Sequence, residues 1–340
     1  MSISRRDALR GLAALGAAAF TGAKHLPLAG AQELPATVRV DYAYYSPSSL
    51  VLKKFGWLEE VLAADGVGVE WVLSAGSNKA NEYLRSEAID FGSTAGSAAL
   101  LARANGSPIK TVYLYSKPEW SALVVGKDST LTDVSELQGK KVAATKGTDP
   151  YFFLLRSLDA AGLTGSDVEV INLQHADGRV ALERGDVDAW SGLDPHMAAS
   201  ELEVGSKLLY RNIDFNTYGF LNGREAFINQ YPELTATVIE QYERARHWIL
   251  ENPEEAAQIL ADESQMTIDV ATKVLTERTV LDIDPVPGQI QTDVLTAVIP
   301  IMVSENQVKP DTDLPAVLAE LFAPEIAAGV VAASSATPTA

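Results

Sequence analysis

Cysteine is absent from all 340 residues. That excludes disulfides, thiolate metal sites and cysteine nucleophiles, and it removes the lipid-modified N-terminal cysteine that tethers many exported proteins. Histidine is scarce: the four are His25, His175, His196 and His247, and none is spaced from another His or a Glu as metal ligands are. Neither a G-x-S-x-G elbow nor a Walker loop occurs. Positive charge is also short, with 27 Lys and Arg against 45 Asp and Glu and a net charge of −18. No basic stripe exists to neutralise phosphates, so nucleic acid is not an expected partner. Apolar runs long enough to span a bilayer are missing as well.

What is present is an ordinary globular composition, 47% hydrophobic and 21% charged. The length suits two domains or one large α/β unit. The chain opens with Ser4-Arg5-Arg6-Asp7-Ala8-Leu9-Arg10, an Ala/Leu/Gly run over Gly11 to Ala19, and the small-x-small triplet Ala29-Gly30-Ala31. This is the order of an export signal, assigned to residues 1–31. The paired arginines resemble the twin-arginine signal, with Ala8 where a bulkier apolar residue is usual. The choice between that route and the general secretory route stays open, and export does not depend on it. A periplasmic carrier without a lipid anchor is expected. The end of the chain, residues 329–340, reads as a disordered tail.

Between these ends strands alternate with helices. Val38 to Ala43, Val67 to Leu73, Ile89 to Gly92 and Ile109 to Tyr115 read as strands, separated by helical patterns at Leu50 to Ala63, Asn78 to Ser86 and Ala95 to Asn105. A second series follows with strands at Ser121 to Val125, Lys141 to Thr145, Val168 to Leu173, Val187 to Trp190 and Lys207 to Tyr210. Thr217 to Leu221 leads back, and from Arg224 the pattern is almost wholly helical. The order implies two lobes, each a mostly parallel sheet flanked by helices. One lobe takes residues 36–118 and 218–328, the other 119–217, with crossings near Lys117–Ser121 and Asn212–Tyr218.

Ligands of parallel sheets sit beyond the carboxyl ends of the strands. Four strand-to-helix turns are expected there: Tyr45 to Leu50, Asp90 to Leu100, Lys146 to Pro150 and Ser191 to Pro195. Three place Ser or Asp before Pro, a helix cap followed by the one helical position where Pro costs nothing. The second, with Thr94, Gly96 and Ser97, is built of residues small enough to let a ligand approach the backbone. First-turn N–H groups with Ser and Thr hydroxyls make an anion seat without a full positive charge. Tyr44, Tyr45, Trp120, Tyr151 and Trp190 lie near these turns and could cover an organic tail; core packing is the simpler role for Tyr151. Asp149 reads as a helix cap. Asp194 either caps or faces a cationic or hydroxyl group on a ligand. His175 and His196 read as surface helix starts, and Glu59-Glu60 and Glu254-Glu255 as solvated faces.

Asp90-Phe91-Gly92-Ser93-Thr94, Lys146-Gly147-Thr148, Leu137-Gln138-Gly139-Lys140-Lys141-Val142-Ala143 and Asp186-Val187-Asp188-Ala189-Trp190 with Asp194-Pro195 resemble the substrate-binding proteins of ABC importers for aliphatic sulfonates, taurine and nitrate. The likeness runs roughly from Val38 to Val308. It implies the two-lobed type 2 periplasmic binding fold, a monomeric carrier without cofactor or metal, a small organic anion as ligand and a membrane permease as partner. By position it implies ligand contacts from Ser48, Ser49, Thr94, Gly96, Thr148, Trp190 and Asp194. With Tyr44, Ser97, Trp120 and Asp149 these form the candidate pocket. Relatives often carry Gln after the first strand where this chain has Ala43-Tyr44-Tyr45, which bears on the pocket floor. A ligand sensor would use the same closing fold, and an enzyme would need a constellation assembled from distant residues.

Overall fold

The computed structural model describes residues 33–335. The expected export signal and residues 336–340 lie outside them. Among the described residues, Pro35 to Ser335 form one compact unit containing two sheets. Strand β1 (Thr37–Tyr42) alternates as its sequence requires, with Val38 and Val40 fully buried. It lies parallel to β2 (Gly68–Leu73) and β3 (Phe91–Ala95), with Val40 opposite both Trp71 and Phe91. Strand β10 (Gly219–Arg224) returns from the second sheet and inserts antiparallel between β3 and β4 (Ile109–Pro118). A two-residue β11 (Thr279–Val280) caps the edge at Lys117 and Pro118, giving the order β11-β4-β10-β3-β1-β2.

The second sheet has the order β7-β6-β8-β5-β9, from β5 (Leu123–Val125), β6 (Lys141–Ala144), β7 (Glu169–Asn172), β8 (Ala189–Ser191) and β9 (Lys207–Tyr210). β6 runs parallel to β7 and β8, whereas β5 is antiparallel to β8 and β9. Both sheets are therefore mixed.

The helices that matter for the site each follow a strand: α1 (Pro47–Phe55) and α2 (Trp57–Ala63) after β1, α3 (Ser77–Arg85) after β2, α4 (Gly96–Ala104) after β3, α5 (Asp149–Ala160) after β6, α6 (His175–Arg184) after β7 and α7 (His196–Ala199) after β8. Helices then dominate the rest of the chain, among them the 20-residue helix Pro232–Glu251. Among the described residues no helix is long and apolar enough to cross a membrane.

Three expectations are corrected. The helix expected over Leu50 to Ala63 is two, because Gly56 takes a φ of +64° and ends α1 with a left-handed cap. β3 does not stop at Gly92. Ser93 to Ala95 continue it, paired with β10 and with the Ser93 N–H bonded to Asp41, so the small residues form a buried strand and not a turn. Residues 329–335 are not a disordered tail but the end of a helix, Pro324–Ser335, with Val330 packed in the core.

Candidate functional site

The carboxyl ends of β1 and β2 in one sheet and of β7 and β8 in the other meet around a cavity of about 140 Å³. The first sheet supplies Tyr44 and Tyr45, from the turn into α1, and Ser74 and Ala75, from the turn into α3. The second supplies Gln174 and His175, opening α6, and Leu193 to His196 before α7. Its place follows from topology, because parallel strands leave their ends open where the helices turn away.

The wall from the second sheet is sealed. His175 is 1% exposed. Its Nδ1 lies 3.1 Å from the Thr145 hydroxyl, which donates to the Leu173 carbonyl at 2.7 Å. Its Nε2 has no partner, nor does Gln174 Oε1. Burial pushes the His175 imidazole down to about 3, with His196 adding to the shift, and burial with Arg179 nearby pushes His196 down to about 4. Asp194 accepts from the Ala198 N–H at 2.9 Å, and Arg278 Nη1 stands 3.2 Å from both its oxygens. Arg278 also donates to Glu201, so a buried guanidinium from the C-terminal half braces the α7 region. Asp194 is therefore a cap and an ion-pair partner. The peptide between it and Pro195 is cis.

The wall from the first sheet rests on a buried nest of hydroxyls. Tyr45 donates to the Ser93 carbonyl at 3.0 Å and meets Trp120 edge to face, with ring centres 5.9 Å apart. Ser49 donates to the Ser46 carbonyl at 2.7 Å and accepts from the Ala43 N–H at 3.1 Å, fixing the turn. Ser48 Oγ and Ser74 Oγ are buried without partners. Beneath them Asp41 accepts from the Ser93 N–H at 2.8 Å through one oxygen, while the other oxygen is unpartnered. Burial pushes this carboxyl up to about 7.

Of the four turns singled out in the sequence, those at Tyr45 to Leu50 and Ser191 to Pro195 reach the cavity. The turn expected to be the seat is committed elsewhere. The Gly96 N–H donates to the Tyr218 carbonyl at 3.1 Å and the Ser97 N–H to the Thr217 hydroxyl at 3.3 Å. Thr94 donates to the Ala95 carbonyl and accepts from Asn222. Asp149 does not cap α5. It accepts from Ser97 Oγ at 2.5 Å, Trp120 Nε1 at 2.9 Å, Thr217 N at 2.7 Å and Thr217 Oγ1 at 2.8 Å. Ser97, Trp120 and Asp149 thus satisfy one another. Thr148 donates back to the Thr145 carbonyl at 2.6 Å. Its neighbour Gly147 borders a separate hollow of about 310 Å³ with Asn78 and Asn81. Trp190 is fully buried beneath α6 among Val124, Ala143 and Met197, and does not face the cavity; Tyr151 is buried too.

The histidines expected on the surface, His175 and His196, line the cavity instead. Ser74 and Gln174 were not singled out at all. The carboxyl-end rule would have found them, had it been applied to the turns after β2 and β7 as well as to the four with small residues or an X-Pro step.

Residues 56–256 match the family described as NMT1/THI5 like. An Escherichia coli (strain K12) protein named for binding aliphatic sulfonates is 28% identical over 262 residues, 76% of this chain and 82% of its own length. A similarly named Bacillus subtilis (strain 168) protein is 27% identical over 229 residues, 66% of this chain and 69% of its own. The alkanesulfonate-binding protein SsuA from Xanthomonas axonopodis pv. citri, solved bound to MOPS, superposes with a TM-score of 0.75 at 23% identity, covering 83% of this chain and 98% of that one. That likeness is one of fold.

Proposed function

The chain belongs to the NMT1/THI5-like family, and on that premise we propose that it is the solute-binding component of an ABC importer. It captures a small organic anion, an aliphatic sulfonate in first place, between two lobes in the periplasm and delivers it to a membrane permease. The lobes are residues 36–118 with 218–328, and residues 119–217. The observation that carries this reading is the cavity itself: both sheets present their strand ends to it, and neither sheet closes it alone. A ligand that touches both sides has a differential affinity for the closed form, which is what shifts a two-state equilibrium.

Within this reading the headgroup rests at the turn before α1, with Tyr44 and Ser74, which line the cavity there, offering neutral donors. The curated relatives reported above are named as binding proteins, which supports a carrier over an enzyme.

The test is a thermal-shift and calorimetric screen of the purified protein against alkanesulfonates, taurine, sulfate esters, nitrate and aromatic carboxylates. A sulfonate held at about a hundred times its dissociation constant should stabilise the fold by about 2.7 kcal/mol. Millimolar sulfonate that leaves the melting temperature unmoved, while another class raises it, would reassign the ligand.

A further inference from the structure

Gly76 immediately precedes α3 and is buried. Its backbone is extended, at a φ of 161° and a ψ of 163°, a conformation open to any residue. The turn itself therefore does not call for glycine, but a neighbour does. A Cβ here would come within 2.8 Å of Asn78 Oδ1, 2.9 Å of His175 Nε2 and 3.1 Å of His175 Cδ2. The Asn78 amide is the free end of a side chain and can turn aside. The imidazole cannot: it is 1% exposed, and its Nδ1 is held 3.1 Å from the Thr145 hydroxyl. The two residues belong to different sheets. Gly76 follows β2, the edge strand of the order β11-β4-β10-β3-β1-β2, and His175 follows β7, the edge strand of the order β7-β6-β8-β5-β9. The chain crosses between the sheets from β4 to β5 and from β9 to β10, toward the other edge of each. Around those crossings the halves are fastened, since Trp120 on the first and Thr217 on the second both donate to Asp149. A motion that pivots on the crossings is largest at the far strand ends. Those are the ends where Gly76 meets His175, next to Ala75 and Gln174 on the cavity wall.

Resting on the carrier reading above, we propose that Gly76 and His175 are the lips of the mouth: the bare backbone of Gly76 seats against the His175 ring when the halves close, and this contact keeps the bound anion inside. Both are positioning residues, which set how far the halves approach. Gly147, in the turn before α5, is a second point of the same rim, its Cβ position 3.7 Å from Asn78 Cβ. A side chain on Gly76 would prop the mouth ajar, and the anion would leave sooner.

The test is a double-mutant cycle of Gly76→Ala and His175→Ala, with 1-propanesulfonate as the probe in calorimetric and stopped-flow titrations of the purified protein. In Gly76→Ala the dissociation constant should rise roughly tenfold or more. The rise should fall on the exit rate, with entry within about twofold of wild type. Added to His175→Ala, the same change should cost about twofold or less, because the ring that the Cβ meets is gone. Effects of the new Cβ on the start of α3 are common to both backgrounds and cancel in the cycle. Should His175→Ala not fold, His175→Asn, which is shorter than the ring and keeps a polar end toward Thr145, serves as the second background. Wild-type affinity and exit rate in Gly76→Ala overturn the proposal. So does an equal loss in both backgrounds, which would place the effect in α3 alone, and so does a Gly76→Ala protein that no longer folds, since lips part without unfolding. Should 1-propanesulfonate fail to bind the wild type, the carrier reading fails and takes this one with it; should it bind and Gly76→Ala change nothing, only the assignment of the lips fails.

Discussion

Asp41 lies on β1 among hydroxyls, with Ser74, Ser93 and the phenols of Tyr45, Tyr115 and Tyr242 around it. One of its oxygens is bonded and one is not, a pattern better suited to a neutral acid than to a carboxylate. Its pKa rises from 3.8 to about 7 because burial penalises the charge more than the Ser93 N–H and the nearby Ser74 and Ser93 hydroxyls relieve it. The folded state therefore keeps a proton that the unfolded chain releases above pH 4. Stability from this group is full below about pH 4 and is lost as pH rises through 7. Asp41→Asn has no proton to lose. Relative to wild type it should gain roughly 2–3 kcal/mol on moving from pH 5 to pH 8, read from urea midpoints at both pH values. The two cavity histidines act in the opposite sense: their pKa values lie below 6.5, so they cost stability as pH falls. They do so in both proteins and cancel in the comparison. A constant gap between the two proteins at the two pH values would mean that Asp41 is ionised throughout.

At the level of elements, periodicity carried most of the fold. The alternation of Val38 and Val40 and the helical spacing of α3 and α6 follow from which face must be buried, whereas α5 is buried nearly all round. Periodicity failed where a single residue overrode it, at Gly56, and where small residues had two readings. Ser93 to Ala95 look like a turn because nothing in them packs, yet they are small because Asn222 and Asp41 press on them from either side. The candidate site was legible to the extent that it obeys topology. Tyr44 and Asp194 were reachable from the carboxyl-end rule, whereas the partner of Asp194 is Arg278, 84 residues away, and no local pattern announces such a pairing. Trp190 misled because adjacency to a turn does not say which face of β8 a residue takes. Its burial gives the helix above it an exacting fit. A Cβ on Gly178 would come within 2.7 Å of the Trp190 indole nitrogen, and the indole has no room to yield. Gly178→Ala should therefore lift α6 off the sheet and cost about 1–3 kcal/mol, more than the roughly 1 kcal/mol gained in helix propensity. Because α6 begins at His175, ligand affinity should fall with it. Unchanged denaturant midpoint and affinity would show that α6 is not held at this point.

Across the whole molecule one carboxylate gathers pieces from both sheets and from both crossings between them. Asp149 begins α5 in the second sheet's half. Its donors are Ser97 on α4 in the first half, Trp120 on one crossing between sheets and Thr217 on the other. All are buried, and four donors leave the carboxylate fully satisfied, so the ion needs no counter-charge to be tolerated. Removing the acceptor strands those donors. Asp149→Ala should lower global stability by roughly 3–5 kcal/mol. That loss alone would fit any buried network. The placement on both crossings makes a second demand: the arrangement in which the halves meet should lose ground to one in which they part. If about 3 kcal/mol of the network belongs to the closed form, the apparent affinity for a sulfonate falls by up to roughly a hundredfold. In small-angle scattering the ligand-free variant should then have a larger radius of gyration than wild type, and saturating ligand should bring the two together, because binding energy restores the closed population. A variant that is merely less stable, with wild-type dimensions and affinity at a temperature where it remains folded, would show that Asp149 holds α5 in place and has no part in closure.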